Sequence, residues 1–182
     1  NLDTSIEKSR KEFEAKLELE RKEREKSRKE LNKKLGEVFG TWGKFVTEMV
    51  RPKITKMFQD KGIPIETSLE NAFGYKNNQK YYEIDILLIN SNKAVIVEVK
   101  STLKREDIDE HLERIERIRE IPPRRIDLSG VSLIGAIAGM IVENDADRYA
   151  YKNGLYVLRQ KGDTVEIIND EAFEPKEWKV NY

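Results

Sequence analysis

The 182-residue sequence contains no cysteine and one histidine. Without cysteine there is no disulfide scaffold, no thiolate zinc site and no cysteine nucleophile. One histidine cannot build a multi-histidine metal centre. A catalytic metal would rest mainly on oxygen ligands, which suit magnesium, manganese or calcium. No apolar run approaches the ~20 residues that span a bilayer, and the charged N-terminus has no apolar core of a signal peptide. The expectation is a cytoplasmic protein with no membrane partner. Net charge is missing too, since 34 basic residues balance 34 acidic ones. Any nucleic-acid surface must then be a local patch. Phosphate-cradling and dinucleotide glycine motifs are absent, and Ser101 has no histidine placed to complete a nucleophile triad.

What the chain has in excess is charge, 37% of its residues against about 25% in an average domain. Much of it lies in residues 1–32, which hold neither Gly nor Pro. There Glu precedes a cation by four residues at Glu7–Lys11, Glu12–Lys16, Glu18–Lys22, Glu20–Arg24 and Glu25–Lys29. That order supports a helix by about 0.2–0.5 kcal/mol per pair. Ile6, Phe13, Leu17, Leu31 and Val38 fit a seam of 3–4 spacing, which Glu20, Arg24 and Ser27 interrupt. The segment reads as a charged helix or a weak coiled coil, and a homodimer through it is one possibility.

From residue 33 the pattern becomes that of a folded domain over 33–182. Leu35, Val38, Phe39, Trp42, Phe45, Val46, Met49 and Val50 form one apolar helical face. Pro52 should kink this helix or begin a second, and Gly62 should end it. Residues 63–69 read as a short strand and Gly74 to Lys80 as a loop. Tyr82–Ile89 and Ala94–Val99 read as strands joined by turn residues 90–93. Residues 105–120 are helical, Leu133–Val142 is a buried strand and 144–152 a short helix. Leu155–Arg159 and Thr164–Ile168 form a last strand pair, and the C-terminal tail is expected at the surface.

Chemistry concentrates in the hairpin. Side chains alternate across a strand, so Glu83 and Asp85 share one face, as do Glu98 and Lys100. Closing the hairpin symmetrically about Ser91 and Asn92 places Asp85 opposite Glu98 and Glu83 opposite Lys100. Opposed residues have Cβ atoms about 5 Å apart. Two carboxylates that close repel each other unless a cation or a shared proton neutralises them. A divalent metal, Mg2+ or Mn2+, is the natural solution. Lys100 beside it can orient a water or stabilise charge developing on a phosphate.

An Asp on one strand followed by Glu-x-Lys on the next resembles the PD-(D/E)XK nuclease superfamily, whose fold is called restriction-endonuclease-like. The matching residues are Asp85, Glu98 and Lys100; Ile84 stands where the motif's name has proline. The resemblance extends in element order over about residues 33–170. More narrowly it points to uncharacterised prokaryotic members that carry an N-terminal coiled coil. It implies an α/β domain with a core of helix, three strands, helix and strand around a mixed central sheet. It also implies a metal-dependent endonuclease acting on nucleic acid, with DNA favoured. Family members that add an acid from the first helix make Glu48 a candidate third ligand, with Glu37 behind it. Glu83 and His111 are possible auxiliary residues. The local basic groups are Lys53, Lys56, Lys80, Lys104, Arg105, Arg124 and Arg125; Lys104, Arg105, Arg124 and Arg125 are the candidates for phosphate contact, the first two because they directly follow the Glu98–Lys100 strand. The rival reading is a catalytically silent nucleic-acid-binding or scaffold protein with a nuclease-like fold. A further rival is a phosphoryl-hydrolysing enzyme acting on nucleotides.

Overall fold

The computed structural model describes residues 2–182; the side chains of residues 2–4, 6, 32, 35, 36, 38, 39, 41–44, 47 and 48 lie outside that description. The chain divides into two compact units, Asn1–Gly43 and Lys44–Tyr182. Among the described residues the fold is α/β, with four α-helices and a mixed sheet of seven strands. Among the described residues no helix is long and apolar enough to cross a membrane.

The described residues of the first unit lie within helix α1 (Leu2–Lys44), so the change of composition near residue 33 falls inside one helix. Four of the five expected pairs close as ion pairs, at 3.8 Å (Glu7–Lys11), 3.4 Å (Glu18–Lys22), 3.7 Å (Glu20–Arg24) and 3.2 Å (Glu25–Lys29). Every described side chain from residue 7 to residue 31 is exposed. A helix polar on nearly all sides draws its local stability from such pairs.

The second unit begins with a π-helical segment (Phe45–Val50) that passes into α2 (Arg51–Asp60). Pro52 falls in the first turn of α2, which continues the π-helical segment without a break. The wider turn before it relieves the collision between a proline ring and the carbonyl four residues back. Phe45, Val50, Ile54 and Phe58 are fully buried, as the apolar spacing predicts. Phe58 meets the Tyr156 ring edge-on at 5.3 Å.

The sheet comprises β1 (Thr67–Lys76), β2 (Gln79–Ile89), β3 (Lys93–Leu103), β4 (Ser132–Val142), β5 (Tyr156–Lys161), β6 (Thr164–Ile167) and β7 (Glu177–Lys179). Its order is β1-β2-β3-β4-β5-β6, with β7 also on β4. The three strands β1 to β3 are antiparallel, whereas β3, β4 and β5 run parallel. A parallel step needs a crossover; α3 (Arg105–Glu120) supplies it between β3 and β4, and α4 (Ala146–Lys152) between β4 and β5. Both parallel strands at the centre are apolar on both faces, from Ala94 to Val97 and from Leu133 to Ala138. Ile108, Ile115 and Ile118 of α3 pack on them with no exposure. Gly135 makes that approach possible, because a Cβ there would lie 2.8 Å from Ile115 Cδ1 and closer still to Leu155 Cδ2.

Three expectations fail here. The strand placed at 63–69 starts only at Thr67, and residues 63–66 lie outside the sheet. Residues 74–80 are not a loop: β1 continues to Lys76 and turns at Asn77-Asn78, with φ of 52° and 60°. Asparagine tolerates this left-handed pair, which suits a two-residue hairpin; the polarity of the stretch belongs to exposed strand ends. Nor is the C-terminal tail loose surface. Strand β7 pairs with β4 through Leu133↔Trp178, and Trp178 is buried. The connection before β7 is held by Lys176 N–H donating to Gly154 O at 3.0 Å. Gly154 has φ 76°, and a Cβ there would come within 2.8 Å of Lys176 N. Gly154→Ala should therefore destabilise the second unit by about 2–3 kcal/mol, read as a lower urea midpoint with unchanged slope.

Candidate functional site

The turn that sets the register is built by Asn90. Its Oδ1 accepts the N–H groups of Asn92 (2.9 Å) and Lys93 (2.8 Å), and its Nδ2 donates to Pro64 O. The resulting pairs are Ile89↔Ala94, Leu88↔Val95, Leu87↔Ile96 and Ile86↔Val97, as symmetrical closure about Ser91 and Asn92 requires. The next step would set Asp85 against Glu98, and there the ladder stops. Asp85 Oδ2 instead accepts the N–H of Val99 at 2.8 Å. On the other side, pairing with β1 steps from Glu70↔Ile86 to Ala72↔Ile84, and Asn71 between them has φ 51°. The sheet opens at Asp85, and its carboxylate fills the opening.

Glu98 is buried on β3. Arg114 Nη1 donates to its Oε2 at 2.5 Å, and Lys100 Nζ lies 3.3 Å from its Oε1. Lys100 also stands 3.5 Å from Asp107 Oδ1, while Asp107 Oδ2 accepts the Lys104 N–H at the start of α3. His111 has no exposure. Its Nε2 lies 3.1 Å from Ile96 O, and its Nδ1 lies 3.4 Å from Arg114 Nη1. A carbonyl can only accept and a guanidinium can only donate. The ring is thus assigned as neutral, with the proton on Nε2. Asp107, His111 and Arg114 are spaced four and three apart, on one face of α3.

Burial raises the Asp85 pKa, against the pull of the Val99 N–H and of Arg114. Burial, and then the Asp85 charge, push Glu98 up to about 7. Burial works against the Lys100 charge, but Glu98 and Asp107 outweigh it and its pKa rises. Burial and then Arg114 push His111 down to about 3. Near neutral pH the site therefore holds a charged lysine, a neutral histidine and a carboxylate pair poised to carry a proton.

The sequence-derived site residues fare differently. The structure gathers Asp85, Glu98 and Lys100, and adds His111 behind them. His111 is not the surface residue its charged helix suggests; it is buried and orients Arg114. Glu83 does not pair with Lys100 but with Lys80, because the opened ladder frees Lys100 to turn toward α3. Glu48 lies outside the described side chains, and Glu37 is exposed on α1. Lys104 caps α3, and Arg105 stacks on the Tyr149 ring at 5.1 Å. The Arg124 N–H is bonded to Phe73 O, and Arg125 adopts φ 63° on the same loop. Two members went unread in the sequence, Arg114 and Asp107. Their signal is the i, i+4, i+7 row of polar residues with His111, set against the apolar stripe of α3.

Among the described residues, no group of three or more Asp, Glu, His or Cys side chains is placed to hold a metal ion. The candidate donors are the Asp85 and Glu98 carboxylates, which Val99 N–H, Arg114 and Lys100 already contact. Two hard oxygen ligands fit Mg2+ or Mn2+, since Mg2+ retains several waters and commonly uses one or two carboxylates. In comparisons with family profiles, curated proteins and solved structures, nothing matches the chain.

Proposed function

We propose that this protein is a divalent-metal-dependent nuclease of the PD-(D/E)XK type, hydrolysing phosphodiester bonds of nucleic acid, with DNA as the favoured substrate. The observation that carries the reading is the Asp85–Glu98 pair, two carboxylates brought together where the sheet opens, with Lys100 beside them. The order α2, β1, β2, β3, α3, β4 supports a restriction-endonuclease-like core. Asp85 and Glu98 would hold Mg2+ or Mn2+, which when bound supplies Lewis acidity toward a phosphate oxygen and acidifies a coordinated water. Lys100 keeps its proton because Glu98 and Asp107 stabilise the charge. It therefore serves as a fixed positive charge toward a phosphate in the transition state, not as a base. Arg114 and His111 hold Glu98 in place from α3.

One observation favours a second reading, a silent nucleic-acid-binding scaffold: both Glu98 oxygens are already engaged by Arg114 and Lys100. Incubation with supercoiled plasmid, single-stranded DNA, RNA and mononucleotides in Mg2+ or Mn2+ separates the readings. Metal-dependent cleavage of a polynucleotide that EDTA stops is the expected result. Cleavage of mononucleotides alone points to a nucleotide hydrolase, and DNA binding without cleavage to the scaffold.

The pH dependence has a definite sign. A metal binds the deprotonated carboxylates, so proton and metal compete for Glu98. With Glu98 up to about 7, Mn2+ affinity should climb about tenfold per pH unit from pH 5 toward 7 and level off above. Calorimetric titrations at pH 5.5, 6.5, 7.5 and 8.5 check this; equal affinity throughout would place the metal elsewhere.

A further inference from the structure

We infer that two copies of this chain pair through α1 in antiparallel orientation, with Glu20 of each helix set against Arg24 of the other. The exposed apolar residues of α1 include Phe13, Leu17 and Leu31, at 62%, 46% and 57% exposure. With Glu20, Arg24 and Ser27 they occupy alternate 4 and 3 spacings, the a and d positions of a heptad. The polar centre of this seam decides between orientations. In a parallel, in-register pair each seam residue meets its own copy. Glu20 would face Glu20, Arg24 would face Arg24, and Arg10 and Lys34 would do the same. Lys16 would flank Arg21 as well.

Turned antiparallel about the middle of the helix, the same residues complement one another. Glu20 meets Arg24, Phe13 meets Leu31 and Leu17 meets Ser27, each contact made twice by symmetry. In sequence, the apolar layers continue with Ile6 at the position opposite Val38. Along the flanks Glu14 comes beside Arg28, and Lys16 beside Glu30. Like charges remain at Arg10 with Lys34 and at the self-pairs of Arg21 and of Glu23. Those long side chains can carry their charges outward to water. The interruption that weakens a parallel coil is thus what specifies the antiparallel one. The occupant of this face is a second copy, because its charges are complemented by the same sequence read backwards.

The absence of cysteine makes the test clean. Leu17→Cys and Ser27→Cys chains, each full length, are oxidised separately and mixed at about 100 µM, where wild-type mass is also measured by light scattering. A dimer whose disulfide forms only in the mixture is expected. A monomeric wild type would overturn the inference, as would self-linked Leu17→Cys or Ser27→Cys dimers. Glu20→Lys should weaken the dimer about tenfold or more, and adding Arg24→Glu should restore it. No rescue would mean that these two positions do not meet.

Discussion

Asp85→Asn should remove metal-dependent plasmid nicking while leaving the fold intact. Asparagine keeps an oxygen to accept the Val99 N–H, so the opened ladder survives. What is lost is one of the two charges that would hold the metal. Even residues behind metal ligands cost about 10–100-fold in affinity or activity when replaced, so loss of a ligand should exceed about 100-fold. The same substitution relieves Glu98, whose pKa is raised by the Asp85 charge as well as by burial. The metal-free variant should thus be at least as stable as the wild type. Activity lost together with stability would instead mark Asp85 as a structural residue. Nicking at the wild-type rate would remove it from the site.

Arg114→Met should be the most damaging change to stability at the site. Arg114 and Glu98 are an ion pair with side chains 20% and 7% exposed. Removing one partner of a buried pair costs about 3–5 kcal/mol, because the other is left uncompensated. For a unit of this size that lowers Tm by roughly 10–17 °C. Glu98 has a partial escape, since it can take a proton. The loss should accordingly be smaller at pH 6 than at pH 8. His111 also loses the guanidinium that donates to its Nδ1, so His111→Gln should reproduce part of the effect. Equal Tm values for wild type and Arg114→Met at pH 8 would show that Glu98 does not depend on this contact.

Glu98 and His111 pull the pH dependence of folding in opposite directions. A carboxyl whose pKa rises on folding, from 4.5 to about 7, binds more protons in the folded state. Its contribution is fully present below about pH 4.5 and is lost as pH rises toward 7. A histidine whose pKa falls on folding, from 6.5 to about 3, stays neutral while the unfolded one takes a proton. Its contribution is present above about pH 6.5 and is lost as pH falls toward 3. Between about 4.5 and 6.5 the two largely cancel.

Much of this was legible in the sequence because the hairpin is short and its turn chemistry strong. Asn90 fixes the turn, the turn fixes the register as far as Ile86↔Val97, and that leaves Asp85 and Glu98 one step beyond the end of the ladder. The helix at 105–120 was legible for a similar reason, since the apolar stripe of Ile108, Leu112, Ile115 and Ile118 and the Pro122-Pro123 stop agree. The Asn77-Asn78 turn was not, because without a glycine its left-handed pair looks like any polar loop. Strand β7 is three residues long, and only its contact with Leu133 of β4 identifies Trp178 as core. Arg114 was missed because a basic residue on a charged helix gives no local sign of what it faces. That depends on how α3 lies across β3, which is a tertiary fact. The Glu83–Lys100 pairing failed for the same reason, since ideal register does not foresee that a carboxylate will end the ladder.

The most direct test of the carboxylate pair as a metal site is calorimetric titration of Mn2+ at pH 8 into the wild type and into Asp85→Ala, with the same samples assayed for plasmid nicking. Saturable binding and nicking in the wild type, both lost in Asp85→Ala, are expected. No binding to the wild type, even with DNA present, would contradict the metal site and leave a pair neutralised by Arg114 and Lys100 alone.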